Sequence, residues 1–143
     1  MAGLLSNQYL LVPLLAWALG QLLKVLTDSG QRRQLSLRRL GTSGGMPSSH
    51  TALTVCLTTL LGRRLGTTSP VFAAAAVLTM VVVYDATGVR RAAGQQSVIL
   101  NQMIDDLRQH LGLRYERVRQ LLGHTPFEVL AGAALGLLLG MTL

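Results

Sequence analysis

At 143 residues the chain is sized for one domain; half of it is apolar, 13% is charged and the net charge is +7. The arginines flank long uncharged runs instead of forming one basic stripe with aromatics, which argues against a nucleic-acid partner and for a small membrane protein facing lipid headgroups and an anionic substrate. Cys56 is the one cysteine and lies in an apolar run, so an internal disulfide and a thiolate metal cluster are both excluded.

The pattern predicts an all-α fold, a small integral membrane helical bundle of about four membrane helices plus two short amphipathic surface helices. A single membrane domain, 1–143, carries membrane helices at approximately 9–27, 49–65, 70–86 and 126–143, with polar cytoplasmic segments at 28–48 and 87–124. The amino terminus lacks the positive region and cleavage site of a secretory signal, so residues 9–27 read as a membrane helix that stays attached. Gln21, Lys24 and Asp28 share a face near its end. A basic loop with Arg32, Arg33, Arg38 and Arg39 follows.

Gly41-Thr42-Ser43-Gly44-Gly45-Met46-Pro47-Ser48-Ser49-His50 leads from that loop into the second helix. Its glycines permit positive φ, Ser48 or Ser49 is a natural N-cap, and the free amides of the first turn make an anion-binding end. His50, Thr54 and Thr58 form one polar stripe, which faces protein in a membrane bundle. The helix ends at Gly62-Arg63-Arg64. Pro70 opens the third helix, with Asp85 closing it and Gly88 as the stop. Spacing in 98–111 and 115–122 predicts the two amphipathic helices, with Arg108, Arg114, Arg117 and Arg119 as headgroup contacts. Thr125-Pro126-Phe127-Glu128 reads as N-cap, N1 proline and capping box for the last helix. In that helix Gly132, Gly136 and Gly140 form a ridge for close approach of a helix from this chain or from a second copy.

Lys and Arg number five in 24–49, six in 88–123 and two in 63–68. The positive-inside rule then places the first and third of these loops in the cytoplasm and both termini outside. Up-down topology brings Gln21/Lys24, Ser48-Ser49-His50, Asp85 with Arg90 and Arg91, and His124 with Glu128 to that same side. Two histidines, one with a carboxylate four residues on, together with cations and a helix N-terminus, are the parts of phosphoryl transfer through histidine.

Met46-Pro47-Ser48-Ser49-His50 resembles the Pro-Ser-Gly-His motif of the type 2 phosphatidic acid phosphatase and vanadium haloperoxidase superfamily. Gly123-His124-Thr125-Pro126-Phe127-Glu128 resembles its later His-x-x-x-Asp element, with glutamate in place of aspartate. With Tyr84-Asp85-Ala86-Thr87-Gly88-Val89-Arg90-Arg91-Ala92-Ala93-Gly94, nearly the whole chain is similar to a small divergent branch found in bacteria and plastids. The resemblance implies a lipid phosphate phosphatase of a bacterial inner or thylakoid-type membrane. His124 would be the nucleophile, Glu128 its orienting carboxylate, and His50 the general acid, with Ser48 and Ser49 lining the phosphate cradle. The superfamily's Lys-x6-Arg-Pro element is altered: Gln31 stands seven residues after Lys24, followed by Arg32 and Arg33 and no proline. Val118 stands six before His124, where the superfamily has arginine. Lys24, Arg90 and Arg91, with Asp85, therefore stand in as the phosphate-binding set. The larger relatives have six core helices, which leaves completion by a homodimer through Gly132, Gly136 and Gly140 open.

No cofactor is expected. A weaker alternative has Asp85, Glu128, Asn101 and Asp105 ligating a divalent cation such as magnesium. Asp85 alternatively caps a helix and pairs with Arg90 or Arg91. The alternative function is a non-catalytic membrane protein that binds phosphate-bearing lipids or a partner complex.

Overall fold

The computed structural model describes residues 6–32, 45–111, 116, 118 and 123–143, with the backbone alone at 28–32 and 111. Among these residues the chain is all-helical: α1 (Gln8–Arg32), α2 (Ser49–Leu65), α3 (Pro70–Tyr84), a π turn (Asp85–Val89), α4 (Arg90–Leu111) and α5 (Pro126–Thr142).

α2 is the centre of the bundle and packs against α1, α3 and α5. It buries Ser49, Thr51, Ala52, Thr54, Cys56, Leu60 and Leu61. Three of those seven are polar, and threonine hydroxyls along the helix bond to nearby carbonyls or across to α3. Thr54 Oγ1 donates to His50 O (3.2 Å), Thr59 Oγ1 donates to Val55 O (2.8 Å), and Thr58 and Thr79 of α3 share a 2.9 Å hydroxyl bond. A threonine-rich helix can therefore sit inside the bundle, while more apolar helices take the outside. The outer apolar surface is broad: Leu22, Leu26, Val77, Met80, Val81 and Leu130 are all exposed. Two helices are long and apolar enough to cross a membrane, Gln8–Thr27 and the continuous Pro70–His110, while α5 is apolar but shorter.

The glycine ridge of α5 lies against α2 of the same chain. A Cβ at Gly132 would overlap Ser48 O, one at Gly136 would overlap Ala52 O, and one at Gly140 would come within 2.7 Å of Thr59 Cβ. The ridge is thus filled by α2 of the same chain. The register Gly132–Ser48, Gly136–Ala52, Gly140–Thr59 also shows that α2 and α5 run parallel, with both N-termini at one end.

Parallel neighbours place like dipole ends side by side. At the negative end, Arg63 Nη1 donates to Gly140 O (2.8 Å) and Arg64 Nη2 to Leu143 O (3.3 Å). The arginine pair therefore serves the end of α5 as well as that of α2. Arg63→Ala is expected to cost about 1 kcal/mol, read as a fall in the thermal midpoint of purified protein, and Arg64→Ala to cost less.

Three expectations are corrected. α1 continues to Arg32, so the segment 28–48 begins as helix. Asp85 and Gly88 do not stop α3: both lie in the π turn, and the chain continues as helix from Pro70 to His110. Gly88 does not take the positive φ that would reverse the chain, and the Ala- and Gln-rich residues beyond it carry the helix on. Residues 98–111 are accordingly the second part of α4 rather than a separate helix. The helix expected over 115–122 falls mostly outside the described residues, and Glu116 and Val118 are not helical. Val118 is instead held on α4 by Asn101, whose Nδ2 donates to Val118 O (2.9 Å) and whose Oδ1 accepts from Val118 N (2.8 Å). The rest of the basic loop, residues 33–44, lies outside the described residues.

Candidate functional site

The site is built where the C-terminal end of α1, the N-termini of α2 and α5, and the π turn meet. Gly45 takes φ +95°, and a Cβ there would come within 2.9 Å of Lys24 Cε, so the loop lies directly on the lysine stem. Lys24 is 4% exposed. Thr27 Oγ1 donates to Met46 O (2.7 Å), joining α1 to the same loop. A side chain at Gly45 would be strained and would push Lys24 away, so Gly45→Ala is expected to destabilise by about 1–2 kcal/mol. Thermal unfolding of the purified variant checks it.

Ser48 is the N-cap of α2: its Oγ accepts from Thr51 N (3.4 Å) and pairs with Thr51 Oγ1 (2.9 Å). Its own N–H donates to Glu128 O (3.0 Å), which locks the starts of α2 and α5 together. The amides of Ser49 and His50 are then the orphan donors of the first turn. The Ser49 side chain is buried against Gly20 of α1. Close approach of the two helices is what the absent side chain at Gly20 allows.

His124 precedes α5. Its N–H donates to Ala86 O in the π turn (3.2 Å), and its Nδ1 lies 3.1 Å from Glu128 Oε2. The same Oε2 accepts from Thr125 N (2.9 Å), and Thr125 Oγ1 accepts from Glu128 N (3.3 Å). The capping box is complete, and one carboxylate oxygen both caps α5 and holds the imidazole. An ionised carboxylate can only accept, so a neutral His124 carries its proton on Nδ1 and its lone pair on Nε2.

A cavity of about 130 Å³ is lined by Ser48, His50, Leu53, Thr54, Val82, Asp85, Ala86, Arg90 and His124. Both site histidines, Asp85 and Arg90 are thus on one wall-to-wall space. Arg90 Nε pairs with Asp85 Oδ2 (2.5 Å). Arg90 and the first turn of α2 line this cavity, whereas Lys24 and Ser49 are not among its lining residues; a guanidinium and a helix N-terminus are groups that favour an anion.

Not every candidate converges here. Arg91 turns to another surface with Gly94, Gln95, Val98, Gly123 and Thr125. Asn101 and Asp105 lie 16 and 20 residues along a continuous helix from Asp85, about 24 and 30 Å by helical rise. The four-residue cation set is therefore not assembled, and among the described residues no group of three or more His, Cys, Asp or Glu is placed to hold a metal ion. Leu53, Val82 and Ala86 were not singled out from the sequence. Their signal was available in the spacing: Leu53 lies three after His50 and Val82 three before Asp85, each one turn away on the same face.

These features define a class: a small helical-bundle protein with a histidine-lined cavity where two parallel helices begin. The chain belongs to the Divergent PAP2 family, which it matches over residues 5–139. The uncharacterized membrane protein YuiD of Bacillus subtilis (strain 168) is 34% identical over 151 aligned positions, covering 98% of this chain and 96% of its own. No solved structure matches the chain.

Proposed function

We propose that the chain is an integral membrane phosphatase that hydrolyses a phosphomonoester or diphosphate on a lipid through a phosphohistidine intermediate. The observation that supports this most is the His124–Glu128 bond beside a cavity that His50 and Arg90 share. Family membership and the membrane protein of Bacillus subtilis support the membrane setting. In this reading all four helices α1, α2, α3 and α5 lie in the bilayer, and the site opens at its cytoplasmic face. Phosphatidylglycerophosphate, phosphatidic acid and polyprenyl diphosphate are the candidate substrates.

His124 Nε2 attacks phosphorus while Glu128 stabilises the imidazolium that forms. His50, protonated, gives its proton to the departing oxygen. Arg90, Lys24 and the first-turn amides of α2 neutralise the equatorial oxygens. Water, deprotonated by His50, then attacks the phosphohistidine, releasing phosphate and restoring His124. The cavity takes a phosphoryl group, and Leu53 and Val82 offer an apolar wall to the start of a lipid chain.

The test is phosphate release from the three lipids by purified protein, with magnesium and with chelator, and acid-labile, base-stable labelling of the protein by ³²P-substrate. Tight lipid binding without release under any condition would establish the non-catalytic alternative. Arg91 turned away and valine at 118 favour that alternative, because they leave fewer cations at the cavity.

A further inference from the structure

The π turn is a local departure with a geometric effect. In an α-helix, residues five apart point about 140° away from each other. Here Arg90 N–H donates to Asp85 O, the i→i+5 bond of a π-helix, so Arg90 sits one turn above Asp85 on the same face. The ion pair between their side chains follows. The neighbouring Arg91 is carried to the other surface by the same phase. Ala86 O, whose α-helical partner would be Arg90 N, accepts the His124 N–H instead. One turn therefore fixes both the arginine and the lead-in to the histidine.

Asp85 holds Arg90 through Nε. A guanidinium gripped there still has N–H groups on Nη1 and Nη2 to present to an oxyanion, a two-sided use that a lysine ammonium lacks. We infer that Asp85 is a positioning residue for oxyanion binding: the π turn sets it beneath Arg90 so that the guanidinium offers its Nη edge to a phosphoryl group in the cavity, while Asp85 itself does not touch the ligand. This rests on the reading of the cavity as a phosphoryl site. An acidic residue that merely balanced the local charge would act in the opposite sense, because its removal would strengthen anion binding.

The experiment is calorimetric titration of the purified full chain with inorganic phosphate and with orthovanadate. Asp85→Asn is expected to weaken both by about tenfold, the scale of one charge-assisted hydrogen bond. On an Arg90→Gln background, Asp85→Asn should change the affinity less than about twofold, since its effect passes through the arginine. Arg90→Lys keeps the charge but not the fork, and should lose about as much as Asp85→Asn. Affinity that rises or stays level in Asp85→Asn, an effect that persists without Arg90, or full affinity in Arg90→Lys would each overturn the inference. Oxyanion binding with this dependence but no phosphate release would remove the phosphatase reading alone. Release with unchanged binding in Asp85→Asn would remove this inference alone, and a wild-type chain that binds neither anion removes both.

Discussion

His124→Ala is expected to lower phosphate release by about a thousandfold or more, because it removes the atom that would bond to phosphorus. The ³²P label on the protein should vanish with it, while the thermal midpoint stays close to that of wild type. Glu128→Gln separates two tasks that fall on one oxygen. Glutamine can still complete a capping box, so α5 should keep its start, but a neutral amide stabilises an imidazolium poorly. Activity should therefore fall by roughly ten- to a hundredfold with little change in stability. In His50→Ala the first step, read as the burst of leaving-group release, should slow severely for an alkyl phosphate and mildly for a nitrophenyl ester, whose leaving group needs no proton, while the water attack that His50 also serves slows for both. Equal losses in that first step would contradict a general-acid role for His50. Wild-type rates in His124→Ala would end the phosphohistidine mechanism.

The second large effect is on folding. At Gly136 a Cβ would run into Ala52 O and approach Cys56 N at 3.0 Å, both backbone atoms of the central helix. Backbone cannot yield as a flexible side chain does. Gly136→Val should therefore force α5 away from α2, at a cost of about 3 kcal/mol or more. Thermal unfolding in detergent should show a midpoint lowered by roughly 10 °C, with oxyanion binding weakened because the two helix starts no longer meet. Ala134→Val, at an exposed position of the same helix, should be close to silent. Equal stability of the two variants would show that the α2–α5 contact is not what holds the bundle.

The parts of this structure that were legible in the sequence are those set by local chemistry. Ser48 before α2, and Thr125, Pro126 and Glu128 at the start of α5, mark helix starts because caps and an N1 proline act within one turn. The start of α2 follows from its cap, whereas the expected stop at Gly62-Arg63-Arg64 is passed and the helix runs to Leu65, ending at Gly66 with φ +83°. What could not be read is phase over distance. Asp85 and Gly88 look like a helix end, and only the i→i+5 bond turns them into a passage between α3 and α4. That one-residue change decides between Arg90 and Arg91 at the cavity, which spacing left open. The partner of the glycine ridge was equally hidden, since close approach needs small residues on one side and a matching groove from elsewhere in the chain. The convergence of His50, Asp85, Arg90 and His124 on one cavity was expected from up-down topology, and Leu53 and Val82 follow them there one turn along the same faces.

The interlock of α2 with α5 also bears on how the molecule is made. During synthesis α1 is available to α2 at once and α3 soon after, but the groove over Ser48, Ala52 and Thr59 stays open until α5 emerges. The amide of Ser48 finds its acceptor, Glu128 O, only at that moment. A nascent chain therefore carries a half-clad central helix until α5 arrives, and the charged pocket closes only with it.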